Sequence, residues 1–366
     1  MNCVRKKIFV FTGGGSAGHV TPNLALIEAC SGSAQCYYMG MRDSIEQEML
    51  SKTTTPFYAI TAGKLRRYMT IKHLAEPFKV LMGLFQSYRI LKKLKPDVVF
   101  SKGGFVSVPV AMAAWIQGIP VIAHESDMTP GLANRLTFPF VQKLCVNFPE
   151  VKKFFKHPED VYVTGTPVRA FLLHGSKENA LQLTHFDPSR LTILIIGGSL
   201  GSVKINDTVR KVLPSLLTQY QVIHICGKGN LDPSLNQTPH YYQVEFAGSE
   251  LADLLALSDV VVSRAGANTL CELLTLGISH LLIPLSKKAS RGDQIDNAKY
   301  FEKVGASMVL WEEQLNEKNL IERLSNLIDK RQDYSEKIKA IGLSSATEKV
   351  LSIIYETVGY HHETPI

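Results

Sequence analysis

Short apolar runs rich in β-branched residues recur along the chain, each followed by a glycine-rich or polar turn and then an amphipathic stretch of helical period. The runs predict strands at Ile8–Thr12, Cys36–Met39, Asp97–Ser101, Val121–His124, Lys143–Val146 and Val161–Thr164. A second series follows at Thr192–Ile196, Gln221–Cys226, Gln243–Phe246, Val260–Ser263 and Leu281–Pro284. Strands apolar throughout are buried on both faces, and strands alternating with helices build right-handed βαβ units with parallel sheets. The fold class expected is therefore α/β, with two Rossmann-like, doubly wound domains facing a cleft. The pattern breaks at VTGTPVR, residues 163–169, and restarts with LTILIIGGSLGS, which echoes FVFTGGGSAGHV near the start of the chain. The expected division is 1–165 and 166–343. A last helix at 344–360, with apolar Val350, Leu351, Ile353 and Ile354, is expected to cross back onto the first domain.

Residues 103–123 carry no charge over a length that can span a bilayer. Their punctuation predicts otherwise: a Gly103-Gly104 turn, a helix capped by Ser107 with Pro109 in its first turn, a stop at Gly118 and a buried strand. The 366 residues suffice for two cores, and 45% hydrophobic with 20% charged residues is the composition of a globular protein. A formal net charge of +7 suits acidic small molecules, phosphates or an anionic membrane surface. No nucleic-acid motif is present, and no nucleic-acid partner is expected. The six cysteines form no C-x-x-C pair and lie near no histidine at zinc-ligand spacing, so they are read as reduced, buried thiols and no metal site is expected. The N-terminal apolar run is too short for a signal-peptide core.

Two turns carry candidate chemistry. Gly13, Gly15 and Gly18 fit G-x-G-x-x-G, and Gly197–Gly201 repeats the arrangement; a strand, glycines and a helix start present backbone N–H groups to an anion. Dinucleotide binding also needs an acidic residue closing the second strand, whereas that strand ends Met39-Gly40-Met41. A redox reading leaves His19 without a role. Directly after the last glycine, it is either a helix-start residue or a base that takes a proton from an attacking hydroxyl. In the second half, VVVSRAGANTLCELLTLG (residues 260–277) sets Asn268 and Glu272 at i, i+4 on one helix face. Glu272 is then either a solvated helix residue or an acceptor for ribose hydroxyls. SRGDQIDNA, residues 290–298, concentrates donors and acceptors suited to a polyhydroxylated ligand.

These stretches, together with HESDMTPGLANR (residues 124–135) and GTPVR (residues 165–169), resemble the MurG family of bacterial N-acetylglucosaminyltransferases of peptidoglycan synthesis. The likeness runs in one order over nearly the whole chain. It implies a GT-B fold, UDP-N-acetylglucosamine on the C-terminal domain, and an undecaprenyl-diphosphate-linked muramyl-pentapeptide acceptor on the N-terminal one. It further implies His19 as catalytic base, with Ser16, Ala17 and Gly18 lining the same loop. Ser199 meets the donor diphosphate, Phe246 and Ala247 lie beside the uracil, and Glu272 binds the ribose. Ala267, Asn268, Asp293 and Gln294 lie near the sugar, and Arg169 at the hinge. The chain departs from the family's usual pattern at four places: Ser126-Asp127 for Gln-Asn, Leu200 for Gln, Thr166 for Asn, and Ala17 for Gly. Asp127 thereby becomes a rival base.

The chain contains no D-x-D, and the family uses neither a bridging metal nor a cofactor, so helix dipoles and donors would stabilise the leaving UDP. Residues 64–95 carry Lys64, Arg66, Arg67, Lys72, Lys79, Arg89, Lys92, Lys93 and Lys95 against one acid, Glu76, with apolar Leu74, Phe78, Leu81, Leu84 and Phe85 interspersed. The stretch is either a core-facing helix with a basic outer face or a surface for an anionic leaflet, with Trp115 as a further anchor. The resemblance favours the second, a peripheral protein at the cytoplasmic face of the membrane. Three other readings stand beside that of a MurG-family transferase: a paralogue with altered acceptor preference, to which the departures point, a UDP-N-acetylglucosamine 2-epimerase, and a silent sugar-nucleotide or lipid-diphosphate binding protein.

Overall fold

The computed structural model describes residues 5–63, 76–198, 201–287, 292–342 and 345–359. The chain divides into two compact units, residues 1–169 with 345–366, and residues 170–344.

Among the described residues, the first unit holds a parallel seven-stranded sheet. In chain order the strands are β1 (Lys7–Thr12), β2 (Ala34–Met41), β3 (Phe57–Ile60), β4 (Val98–Ser101), β5 (Val121–Glu125), β6 (Lys143–Val146) and β7 (Val161–Val163). Their spatial order is β3-β2-β1-β4-β5-β6-β7. The helices are α1 (Ala17–Ala29), α2 (Ile45–Leu50), α3 (Glu76–Leu94), α4 (Ser107–Ile116) and α5 (Leu132–Thr137). The second unit repeats the plan with β8 (Thr192–Ile196), β9 (Gln221–Ile225), β10 (Tyr241–Val244), β11 (Val260–Ser263), β12 (Ser279–Leu282) and β13 (Met308–Val309), ordered β10-β9-β8-β11-β12-β13. Its helices are α6 (Lys177–Thr184), α7 (Val203–Leu216), α8 (Leu251–Leu257), α9 (Ala267–Leu276), α10 (Asp293–Lys303), α11 (Glu317–Asp329) and α12 (Arg331–Ile341); α13 (Ala346–Thr357) belongs to the first unit. Both sheets are doubly wound, and the strand order reverses between β1 and β4 and between β8 and β11. Ligands of open α/β sheets bind beyond the carboxyl ends of the strands at such points.

The apolar runs become central strands because helices cover both faces. Phe9, Phe11, Val98, Phe100 and Ile122 pack with Leu26 of α1 and with Val350, Leu351, Ile353 and Ile354 of α13. In the second unit Ile193, Ile195, Val260 and Val262 pack against Val209 and Leu213 of α7 and Leu320 and Leu324 of α11.

All eleven expected strands are present, with shifts. The run placed at Gln243–Phe246 is paired at Tyr241–Val244, which leaves Phe246 in the following loop, and the run placed at Leu281–Pro284 is paired at Ser279–Leu282. β3 and β13 were not expected; one is a four-residue edge strand and the other has two residues, so neither makes a long apolar run. Within 103–123 the turn, helix and strand form, but Val106, not Ser107, is the N-cap. Ser107 is the first helical residue, and its hydroxyl donates to the Gly103 carbonyl at 2.9 Å. No helix among the described residues is long and apolar enough to cross a membrane.

Helix α3 packs with its small residues inward. Gly83 is buried, and a Cβ there would lie 2.0 Å from the Thr61 carbonyl oxygen; Ser87 and Leu91 share that face. The large apolar side chains point out: Phe78 is 73% exposed, Leu81 60%, Met82 54% and Phe85 61%. The core-facing alternative is excluded for this part of the stretch. Lys64, Arg66, Arg67, Lys72 and Leu74 lie outside the described residues.

Candidate active site

In the first unit, strands β1, β4, β5, β6 and β7 all end in polar turns that interlock. The β1 turn, Gly13–Gly15, is anchored from beneath. The Tyr38 hydroxyl donates to the Gly13 carbonyl at 2.8 Å, and Asn23 Nδ2 donates to Thr12 O at 3.1 Å. Glu46, fully buried at the start of α2, accepts from the N–H groups of Gly15 (3.2 Å) and Met41 (3.1 Å). A Cβ on Gly14 would come within 2.3 Å of that carboxylate, and one on Gly104 within 2.3 Å of the Gly14 carbonyl. The glycines here therefore serve close approach between two turns as well as left-handed backbone at Gly15 (φ +83°).

Ser16 is the N-cap of α1, exposed and making no capping bond, with Ala17, Gly18 and His19 as the first helical turn. His19 Nδ1 lies 2.9 Å from the Gly14 carbonyl and 3.3 Å from Ser16 Oγ. A carbonyl only accepts, so Nδ1 carries the proton and Nε2 is the basic nitrogen. The ring thus folds back over the glycine turn.

Asp127 lies on the loop after β5, its N–H donating to Glu125 Oε1 at 2.9 Å. One strand, β4, separates β1 from β5, so His19 and Asp127 follow strands that end at the same edge of the sheet. Glu125 also accepts from Gly131 N–H (3.2 Å) and Asn134 Nδ2 (2.8 Å). Burial pushes its carboxyl up, against the pull of these bonds and of Lys102. His124 is buried and donates from Nε2 to the Gly165 carbonyl at 2.8 Å; burial and then Lys102 push its pKa well down, so the ring is neutral. Ser126 and Thr166, two of the positions that depart from the family's usual residues, touch each other: their hydroxyls are 3.2 Å apart. Arg169 ends the first unit and is half-buried, next to Val168, which exchanges hydrogen bonds of 3.3 Å with the Thr347 hydroxyl.

In the second unit the β8 turn, Gly197–Gly201, precedes α7, whose N-cap Ser202 accepts from Ile205 N–H at 3.4 Å. Ser199 and Leu200 lie outside the described residues. Sequence reasoning passed over Arg264, the first residue after β11. Its guanidinium bridges Ser202 Oγ (2.7 Å), the Ile283 carbonyl (3.0 Å) and Glu312 Oε1 (2.6 Å). Burial pushes the Glu312 carboxyl up, but the bonds from Arg264 and from Ser286 N–H outweigh it and hold it below the ordinary carboxylate range. Arg264 thereby ties the ends of four strands together around the reversal point.

Helix α9 starts at N-cap Gly266, which offers no side-chain cap; Ala267 and Asn268 form its first turn and Glu272 its second, all half-buried. Phe246 stands largely exposed after β10, next to buried Ala247. Asp293 and Gln294 open α10, and Gln294 Oε1 accepts from Leu285 N–H at 3.0 Å, which fixes the loop leaving β12. All these positions lie toward the carboxyl edge of the sheet or on the helices that begin there. Glu46, Lys102, Glu125 and Arg264 were not singled out from the sequence; charge marks surface in a pattern reading, and only the closed fold buries them.

The sequence model of the glycosyltransferase family 28 N-terminal domain matches residues 9–146, and that of its C-terminal domain residues 192–354. A Legionella pneumophila (strain Lens) protein named UDP-N-acetylglucosamine–N-acetylmuramyl-(pentapeptide) pyrophosphoryl-undecaprenol N-acetylglucosamine transferase is 50% identical over 357 residues, 97% of this chain and 98% of that protein. A protein of the same name from Clostridium perfringens (strain 13 / Type A) is 49% identical over 96% of this chain and 98% of its own length. Among solved structures, Acinetobacter baumannii MurG superposes with a TM-score of 0.75 at 24% identity, over 96% of this chain and 99% of that one. UDP-N-acetylglucosamine 2-epimerase from Neisseria meningitidis, bound to UDP-N-acetylglucosamine, gives 0.62 at 14% identity, over 95% and 99%. The two structures share the fold; the sequence relatives settle the branch, and the chain belongs to glycosyltransferase family 28, among the MurG transferases.

Proposed function

We propose that this protein transfers N-acetylglucosamine from UDP-N-acetylglucosamine to the muramyl sugar of an undecaprenyl-diphosphate-linked pentapeptide, the step from lipid I to lipid II in peptidoglycan synthesis. The observation that carries the reading is 50% identity to a transferase of that name over 97% of the chain, which includes both polar turns at the strand-order reversals. The first unit takes the acceptor and the second the donor. On the first, the N-terminus of α1, which follows the β1 turn, turns its positive dipole end to the acceptor diphosphate. His19 Nε2 removes the proton of the attacking hydroxyl, a contribution of about 10²–10⁴-fold. The hydroxyl meets C1 from the face opposite UDP, so the product is β-linked.

On the second unit, Glu272 accepts from the ribose hydroxyls and Phe246 stacks beside the uracil. Ala267, Asn268, Asp293 and Gln294 surround the sugar, and the N-termini of α7 and α9 stabilise the charge that develops on UDP. The enzyme works as a peripheral protein on the anionic cytoplasmic face of the cell membrane. It sits there through the outward stripe of α3, with Trp115, which packs against Phe140 at 5.6 Å between ring centroids, as a further anchor. Incubation with labelled UDP-N-acetylglucosamine and the lipid-linked acceptor tests the reading. Label passes into the organic-extractable lipid if it holds, and stays in water-soluble material if it does not.

A further inference from the structure

A buried cation lies under the loop that carries Asp127, and the scheme above gives it no part. Lys102 is the first residue after β4 and is 2% exposed. Its ammonium donates to Ser126 Oγ. From there the hydrogen bonds run with a single polarity across the ends of three more strands. The Ser126 hydroxyl donates to Thr166 Oγ1 at 3.2 Å, Thr166 donates to Asn147 Oδ1 at 2.9 Å, and Asn147 Nδ2 returns to the Ser126 carbonyl at 3.0 Å. Beside this ring stands the Glu125 carboxylate, which pins the following loop through Asp127, Gly131 and Asn134. Among the described residues, Lys102 on the turn after β4 acts on its charge, with His124 on its own strand and Asp127 two residues on. His124 is neutral, so Lys102 supplies the positive charge of this floor. A carboxylate this deeply buried takes up a proton unless a counter-charge holds it ionised.

We propose that Lys102 is a positioning residue for the transfer reaction: it is the counter-charge of buried Glu125 and, through Ser126, fixes the 125–131 loop that presents Asp127 to the acceptor. The inference rests on the reading that this loop belongs to the acceptor side. Ser126 and Thr166 then form one unit with Lys102, since each hydroxyl needs the other to complete the ring.

The test compares Lys102→Met, Thr166→Val and the double variant Lys102→Met/Glu125→Gln. Lys102→Met is expected to lower kcat/KM for the acceptor at least tenfold, leave UDP affinity unchanged, and move the acid limb of the pH profile upward as Glu125 holds its proton longer. Thr166→Val, which cuts the ring but keeps both charges, lowers kcat/KM without moving that limb. An unshifted limb in a folded Lys102→Met protein, or an equal shift in Thr166→Val, overturns the proposal. A second readout needs no acceptor. A buried carboxyl with a raised pKa loses stability as pH rises, so between about pH 5 and about pH 8 Lys102→Met falls further in melting temperature than the wild type, and the double variant does not. Parallel melting curves for all three overturn the proposal. Wild-type protein that moves no sugar but shows the expected melting pattern refutes the transferase reading alone.

Discussion

The outward stripe of α3 gives the most quantitative prediction. Phe78, Leu81, Met82 and Phe85 recur at i, i+3, i+4 and i+7, and each shows more than half of its surface to solvent. The Arg89 guanidinium lies 5.7 Å from the Phe85 ring centroid, at the edge of the stripe. Fully burying a phenylalanine or leucine contributes about 1.5–3 kcal/mol, so replacing Phe78 and Leu81 with serine forfeits about 2–4 kcal/mol of membrane partitioning, given their exposed fractions. That corresponds to roughly a 30- to 1000-fold weaker partition coefficient. Both side chains stand clear of the core, so the double variant should unfold within about 1 kcal/mol of the wild type, the cost of two weaker helix formers. Co-sedimentation with phosphatidylglycerol vesicles over a salt series separates this apolar share from that of Lys79, Arg89, Lys92 and Lys93, which salt screens. Wild-type vesicle affinity in the double variant would refute the reasoning and assign the stripe to a protein partner.

Three further outcomes are expected. His19→Ala should lower kcat by about 10²–10⁴ with UDP affinity intact in calorimetry, while Asp127→Asn remains active; an active His19→Ala beside a dead Asp127→Asn would move the base to Asp127. Glu272→Ala should weaken UDP binding by about 1.5–3 kcal/mol, the loss of a charge-assisted hydrogen bond, and unchanged affinity in a folded variant would remove Glu272 from the donor site. His224, buried between Tyr241 and Asn206, has its pKa pushed down to about 3, chiefly by burial. The folded state then binds fewer protons than the unfolded one, so stability is full above about pH 6.5 and is lost as pH falls toward the folded value. His224→Gln should flatten that acid limb in thermal melts, and an unchanged limb would contradict the assignment.

The strands were readable because burial on both faces leaves an apolar run whose polar residues stand only at its ends, as in Thr192–Ile196 and Val260–Ser263. Edge strands lack that signature: Phe57–Ile60 is half-buried over most of its length and follows Pro56, so it does not stand out from a loop. The glycine turns stood out as strand-to-helix turns, but what holds them did not. Glu46 lies within an acidic, helix-forming stretch that a pattern assigns to solvent, and Lys102 follows a strand as any surface lysine does. They are buried because several strand ends converge at a reversal of strand order, which no local window contains. For α3 the apolar spacing was plain and its direction was not. Direction is set on the opposite face, where only a glycine at 83 fits against the Thr61 carbonyl.

The most direct measurement of the central claim is the structure of the product made by purified protein from UDP-N-acetylglucosamine and the lipid-linked muramyl acceptor in anionic vesicles. Nuclear magnetic resonance of the sugar released by mild acid reads its size and anomeric configuration together. The account predicts a disaccharide with N-acetylglucosamine in β-linkage to the muramyl unit. An α-linkage, or a donor sugar recovered only as a free or epimerised monosaccharide, would contradict it.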